Sequence, residues 1–535
     1  MKRCLIIIAT ILIASSMLFA MGGGEKSSNS SDEIKKITFP LEEQVTITIA
    51  TPDGTTASLS SNLPVWQEIE RRTNVKIVWD AIAPTQYNEV MKLRVSAGAN
   101  ALPDIMQIPN GLSVAELGQQ GIIIDLTEEL AVNGEDITKV YEEYPNAKAL
   151  ASTDGKLYTI NMLGDRQMAP YGLIIRQDWL DRLGLETPKT LEDWENVLRA
   201  FRDQDANGNG IANDEIPFSA GGHAWYTTFW GYLWDLDLFQ SDGWHGHEDG
   251  TMSYDFVSDN AYNFYTWLNN FYSEGLLDPE FMTLGGEQAL YAKVSQDTVG
   301  AFTAYPDRIP MIEAALKAQG VEDAYLKPVV MPEGPEGQHL EVLNRVAANG
   351  YAVTGSSKNK DIAVALLNYV YGSKEGQELM NFGIEGVTYT KSADGTYTFT
   401  DMVTNDPNGR TANEVLTEYG CKIGLPYVSM KEGTDALLYI YPERLRNDIK
   451  VLNEETDKFA SEQIVLPPAT EEESATISGI AGNISSYIWE MTGKFTVSGF
   501  TRSDWDKYVR DLNNMGLQDL LKVKQAQYTR LMENL

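Results

Sequence analysis

Cysteine is almost missing from this chain. There are two in 535 residues: Cys4 inside an N-terminal apolar run, and Cys421 in EYGCKIGLP. If the apolar run is removed on export, one cysteine remains and an internal disulfide is excluded. Stability must then come from core burial, with bound metal as a supplement. Cys421 has no histidine near it in sequence, so it reads as a buried, inert thiol rather than a nucleophile. Positive charge is also scarce. Lysine and arginine number 42 against 76 aspartates and glutamates, a net charge of −34, and loss of Lys2 and Arg3 with the leader makes it −36. A polyanion binder needs a basic face, so this balance argues against nucleic acid. There is no internal repeat and no second long apolar segment. A serine elbow, an HExxH zinc motif and a phosphate loop are all absent from the sequence. These absences suit a binding protein, although hydrolases also often lack short motifs.

What is present begins with a three-part leader. Lys2 and Arg3 are basic, Cys4 to Ala20 is apolar, and small residues follow. The run is shorter than the roughly 20 residues a membrane span prefers, so residues 1–22 read as a secretory signal and 23–44 as a flexible leader. Leu18 and Ala20 sit where a lipoprotein box places its −3 and −1 residues, which puts Met21 at the lipid acceptor. A methionine sulfur is already alkylated and cannot form the lipid thioether. The expectation is an exported protein, periplasmic or at the cell surface, not lipidated at Met21.

The remaining length, about 510 residues, exceeds one ordinary core and predicts two or three domains. Val45–Ala50 alternates as a strand, Pro64–Thr73 reads as a helix, and Val75–Trp79 and Leu102–Met106 read as further strands. Leu173–Arg176 is another strand. Trp179–Leu183 starts a helix stopped by Gly184, and Thr190 caps a helix over Leu191–Arg202 with Asp193 in its first turn. Residues from Trp505 onward form an amphipathic helix. The alternation predicts an α/β protein with largely parallel strand pairing.

Four stretches carry a resemblance: IIRQDWLDRLGLETPKTLEDWENVLRAF (174–201), DANGNGIANDEIP (205–217), SSKNKDIAVALLNYVYGSKEGQELMNFGIEGVTYT (356–390) and WDKYVRDLNNMGLQDLLKVKQAQYTR (505–530). In this order they resemble the extracellular solute-binding proteins of bacterial ABC importers, family 1, in the group of oligosaccharide and alginate binders. The absent lipobox cysteine is a departure that puts membrane attachment in doubt, not the fold. The resemblance implies a two-lobed periplasmic-binding-protein fold with a hinge and a helical C-terminus. On that template the first lobe takes 45–172 plus 345–390, and the second 173–344 plus 391–535. The chain would cross near Tyr171 to Arg176, return near Asn344 to Ala352, and cross again after Tyr389.

Two local patterns suggest chemistry. In DANGNGIANDEI, oxygen-bearing side chains fall at loop positions 1, 3, 5 and 9 (Asp205, Asn207, Asn209, Asn213). Gly210 stands at the sharp sixth position, and Ile211 offers a carbonyl at the seventh. This spacing aims several oxygens at one calcium ion. Position 12 is Ile216, so the closing carboxylate must be Asp214 or Glu215; which one is left open. The loop resembles the calcium site of alginate-binding relatives, with one extra residue before the acid pair. Calcium here would be structural.

The second pattern is aromatic, HAWYTTFWGYLW at 223–234, followed by Trp244. Sugar rings stack their C–H faces on aromatic rings while polar neighbours bond their hydroxyls. Trp225, Trp230, Trp234 and Trp244 are therefore ligand candidates, with core packing as the alternative for any one of them. Arg176 beside the crossing could hold a ligand, or pair with Asp178 or Asp181. Tyr305 and Glu385 are further candidates. His245-Gly246-His247 reads as a solvated loop, the glycine letting the imidazoles point apart.

The leading expectation is a monomeric receptor that captures an oligosaccharide and hands it to an ABC permease, without catalysis. A glycoside hydrolase, and a peptide or sugar receptor for a sensor partner, are the rivals.

Overall fold

Burial of alternate residues Ile47 and Ile49 makes VTITIATP the first strand. The computed structural model describes residues 34–534 apart from 55–56, 99–100, 154, 165–170, 338–340, 344–349 and 408–409. The signal, Cys4, Met21 and the leader up to residue 33 lie outside these, as does most of the expected return crossing at 344–352.

Two four-stranded sheets are built from β1 (Val45–Pro52), β2 (Val75–Ile82), β3 (Ile105–Gln107), β4 (Gly172–Arg176), β5 (Ile216–Ser219), β6 (Val299–Ala304), β7 (Leu326–Val329) and β8 (Tyr351–Val353). Their orders are β8-β3-β1-β2 and β7-β4-β6-β5. Largely parallel pairing was expected, and each sheet has a parallel set with one reversed strand. β8 runs against β3, and β4 runs against both β6 and β7. The cause is the path of the chain. Leu163 packs in the first core and Tyr171 in the second, so the chain changes lobe just before β4. Met331 packs in the second core and Tyr351 in the first, so it changes back before β8. Each reversed strand is entered from the other lobe. The carboxyl ends of its neighbours, such as Ala304 beside Gly172, therefore lie at the edge facing the crossing. In open α/β sheets this edge is where ligands bind.

The third crossing is displaced from its expected place. After Tyr389 the chain turns into a hairpin, Tyr389 pairing with Phe399, and the Tyr397 ring stacks on Phe382 at 4.1 Å. Val403, Val415, Leu416, Cys421 and Tyr427 continue in the first core, and the chain changes lobe between Leu437 and Leu438. Residues 391–437 thus pack with the first lobe, not the second, because the aromatic hairpin finds its apolar partners there. Cys421 is fully buried, and burial pushes its thiol up to about 12.

Six helices matter for the site: α1 (Leu191–Asp203), α2 (Asp259–Ser273), α3 (Glu443–Thr456), α4 (Glu471–Ser498), α5 (Arg502–Asn514) and α6 (Leu517–Asn534). α1 begins as its sequence predicts: Thr190 Oγ1 accepts from Asp193 N–H, and the Asp193 carboxylate accepts from Thr190 N–H. The helical C-terminus starts earlier than expected, at α4. That helix is pinned to α2 by Tyr265 Oη and Thr492 Oγ1 at 2.8 Å and by Asn269 donating to the Thr496 carbonyl. The lobes also touch directly. Ala149 of the first lobe packs with Met252, Tyr528 and Leu531, and Ser113 Oγ donates to the Ala469 carbonyl.

Arg176, a ligand candidate from sequence, belongs to the core. Its guanidinium is fully buried, pairs with Asp178 at 2.6 Å and Asp297 at 2.5 Å, and lies 4.8 Å from the Trp179 ring centre. Asp178 is one of the two partners the sequence offered; Asp297 replaces Asp181 because it stands at the start of the adjacent β6. A buried charge stripped of a partner is costly. Asp178→Ala is expected to lower unfolding free energy by about 3 kcal/mol in urea denaturation, the Asp297 contact limiting the loss.

Candidate functional site

β5 ends at Ser219, on the crossing edge of the second sheet. Gly222 then takes φ +87°, and a Cβ there would fall 1.7 Å from the Leu284 carbonyl oxygen, so the turn requires glycine. The short helix Ala224–Thr227 and the 3-10 turn Thr228–Trp234 follow. In a 3-10 turn residues four apart do not stack as on an α-helix. Trp230 and Trp234 are both core residues here. Trp230 is 1% exposed and packs edge-on against Trp194 (5.4 Å) and Phe218 (5.3 Å). Trp234 is buried against Phe264 and Trp267. Trp244 is half-buried on Tyr254, with ring centres 4.4 Å apart. The Trp225 side chain lies outside the described parts.

The aromatic segment contributes to a cavity by other residues. A chamber of about 570 Å³ opens between His223 and Tyr226 on one side and Ser485 and Trp489 of α4 on the other, with Phe239, Gln240 and Asp242 beneath. Trp489 and Ser485 are four apart and share one face of α4. Trp489 meets His223 edge-on at 5.6 Å. Tyr226 and Phe239 join the chamber to the sheet edge through Tyr171, which lies 6.2 Å and 5.3 Å from them, and Tyr305 at the end of β6 packs on Tyr171 at 5.1 Å. Tyr305 is therefore brought to the same aromatic seam. Glu385 is not brought there: it is exposed in the turn before Tyr389, on the first lobe.

Buried acids hold the chamber floor. Asp237 accepts from the N–H groups of Gln240 (3.0 Å) and Ser241 (3.1 Å), and Asp255 accepts from the Asp237 N–H at 2.9 Å. Burial raises Asp237, its backbone bonds opposing. Asp242 has φ +52°, in the left-handed region. It is exposed and lines the chamber, yet the protein around it pushes its carboxyl up to about 6, with Lys524 opposing. His245 and His247 do not point apart. Alternate positions on a strand share a face, and their rings stack at 4.7 Å. His245 Nδ1 lies 3.3 Å from Asp255, whose hydrogen bond raises the imidazole pKa.

A second groove, of about 730 Å³, lies between Glu186–Lys189, β7 and α3, and its lining holds no aromatic side chain.

The loop 205–215 closes as its sequence suggests. Gly208, Gly210 and Asn213 take positive φ. Asp205 accepts from Gly210 N–H, Asn207 from Asn209 N–H, and Asn209 from Ile211 N–H. Glu215 is buried and turns inward, one oxygen accepting from Ala206 and Asn207 N–H; Asp214 accepts from the Asn207 and Asn209 amides. The other Glu215 oxygen, Oε2, and Asp205 Oδ1 are buried without hydrogen-bond partners. Buried carboxylate oxygens without donors are costly, and a hard cation would satisfy both. Asp203, outside the loop, pairs with Arg202. No group of three or more His, Cys, Asp or Glu poised for a metal occurs among the described residues, so amide and carbonyl oxygens would have to complete a shell.

Residues 55–377 match the profile of the bacterial extracellular solute-binding proteins. The chain belongs to that family. Within it, the chain is 26% identical over 550 residues to the fructooligosaccharide ABC transporter substrate-binding protein FusA of Streptococcus pneumoniae, covering 98% of each. It is 24% identical to a polygalacturonan/rhamnogalacturonan-binding protein of Bacillus subtilis, over 85% of this chain and 86% of that one. Among solved structures, alginate-binding protein AlgQ2, determined without calcium ion, superposes with a TM-score of 0.71 at 23% identity, over 92% of this chain and 100% of the other. These likenesses establish the two-lobed fold of the family. Its members bind solutes and perform no catalysis on them.

Of the tryptophans singled out in sequence, Trp230 and Trp234 are buried in the core; Tyr226 of the same segment lines the cavity, together with Trp489 and Asp242, which the sequence did not single out. The Asp242-Gly243 turn signal just before Trp244 was the one local clue. Deleting a fully packed indole should cost about 3–5 kcal/mol. Trp230→Ala is expected to lose that much in urea denaturation, whereas Trp489→Ala, half-exposed, loses clearly less.

Proposed function

We propose that this protein captures an oligosaccharide outside the cytoplasm and delivers it to the membrane subunits of an ABC importer. The observation that carries the reading is the chamber: Tyr226 and Trp489 offer ring surface with the buried Phe239 ring behind them, and Gln240, Asp242, Ser485 and His223 offer hydrogen bonds at a sheet edge that faces the lobe crossings. That pairing of stacking faces with a few polar groups suits a sugar. The fructooligosaccharide-binding and polygalacturonan-binding relatives support it. Binding closes the lobes about the crossing segments and presents a new surface to the permease. The protein acts as a monomer. No helix among the described residues is long and apolar enough to cross a membrane, and the leader read from sequence supports export.

The loop 205–215 holds structural calcium, with Asp205 and Glu215 as the acidic ligands and Asn207, Asn209 and the Ile211 carbonyl beside them; Asn213 is exposed and Asp214 orients the amides. The two orphaned oxygens support this, as does the likeness to S. pneumoniae FusA, of which an EF-hand mutant has been solved, and to AlgQ2, solved without calcium ion. The ion would fasten the end of α1 to β5.

A thermal-shift panel of neutral and acidic oligosaccharides and peptides tests the ligand class. Ligand at a hundredfold excess over Kd should add about 2.7 kcal/mol of stability. A rise in Tm with saccharides is expected; a rise with peptides alone would sink the proposal. Chelator should lower Tm in the ligand-free protein, and Glu215→Gln should remove that sensitivity. An unchanged Tm on chelation would remove calcium from the loop.

A further inference from the structure

We propose that the chamber between Tyr226 and Trp489 selects neutral, hydroxyl-rich sugar rings over uronates, with Asp242 as the specificity-determining hydrogen-bond acceptor. This rests on the oligosaccharide reading and narrows it.

The chamber's lining is apolar or neutral except for one acid. No arginine or lysine among the described residues lines it. The cation that sequence offered, Arg176, is sealed in the core between Asp178 and Asp297. Lys524 of α6, which acts on Asp242 electrostatically, is not among the lining residues: its Nζ is 5.7 Å from the Trp244 ring centre, and it also interacts with Glu473. A uronate carboxylate entering the chamber would meet a like charge on Asp242 and, among the described lining residues, only the neutral donors Gln240, Ser485 and His223 to set against it. Two such charges repel strongly where protein displaces water. The net charge of −34 adds a long-range field of the same sign.

Asp242 is also prepared to accept. Its left-handed backbone is held by a loop whose preceding N–H groups are tied to buried Asp237, and Gly243 N–H donates to the Asp237 carbonyl at 2.9 Å. A carboxylate so fixed can take two hydroxyls of one ring, a charge-assisted arrangement. Phe239, Tyr226 and Trp489 supply the apolar contact that a neutral ring completes.

The groups around Asp242 set the pH sign. Asp237 from its own loop and burial favour the protonated form, and Lys524 from α6 favours the carboxylate; Tyr254 stands on the neighbouring strand and His223 across the chamber. The folded carboxyl lies near 6. The acceptor form prevails above that value, so affinity for a neutral sugar falls as pH drops through it.

Calorimetric titration at constant ionic strength tests this, using kestose, raffinose and maltotriose against trigalacturonate and trimannuronate. At least one neutral trisaccharide should bind ten times or more tighter than either uronate. Asp242→Asn, which suits a left-handed backbone, should weaken that neutral sugar about tenfold or more and flatten the pH profile between 5 and 7. Uronates binding as tightly as neutral sugars would overturn the inference and leave the oligosaccharide function standing. Neutral preference with an unaffected Asp242→Asn would overturn the role of Asp242. No binding of either class would overturn the oligosaccharide reading itself, and this inference with it.

Discussion

The second lobe depends on the burial of one indole. Trp230 sits among Trp194, Phe218, Trp267 and Phe271, and its burial fixes the 3-10 turn 228–234 against α1, α2 and the sheet. One end of that turn delivers Tyr226 to the chamber. The other leads through Asp235, at φ +58°, into the loop that carries Phe239, Gln240 and Asp242. An unmovable aromatic core thus positions a half-exposed aromatic rim. Close packing transmits this order, because a buried tryptophan leaves its neighbours few alternative arrangements.

Charge is used with the same economy. The protein carries a large excess of acid, yet the acids near the chamber are arranged by function. Asp237 and Asp255 are spent on backbone N–H groups, where a carboxylate repays its desolvation with hydrogen bonds. Asp178 and Asp297 neutralise Arg176 far from solvent. Asp242 alone among the chamber's lining residues faces the space with a charge. In the loop 205–215 the balance differs: Asp205 Oδ1 and Glu215 Oε2 are buried without donors, an arrangement that a cation would satisfy.

The crossings explain both the topology and the place of the site. A strand entered from the other lobe must begin at the crevice edge, so it runs against its neighbours and leaves their carboxyl ends there. β4 and β8 are both of this kind. The aromatic seam from Tyr305 through Tyr171 to Tyr226 follows that edge.

Much of this was legible in the sequence. Alternation marked β1, the Thr190 and Asp193 pair marked the start of α1, and the spacing of Asp205, Asn207, Asn209 and Gly210 marked a turn-rich oxygen loop, since each is a local signal. The resemblance of four stretches was enough for the family. What it could not supply was any choice that depends on contacts distant along the chain. Trp230 and Trp489 look alike as letters. One meets Trp194 and Phe218 and is sealed, while the other stands on a helix some 260 residues later and faces a chamber. Arg176 is claimed by Asp297 across 121 residues, and Tyr397 carries residues 391–437 into the first lobe by stacking on Phe382. Local propensity determined the elements and the leader's character. Burial, which only the assembled chain can decide, determined which side chains are left to meet a ligand.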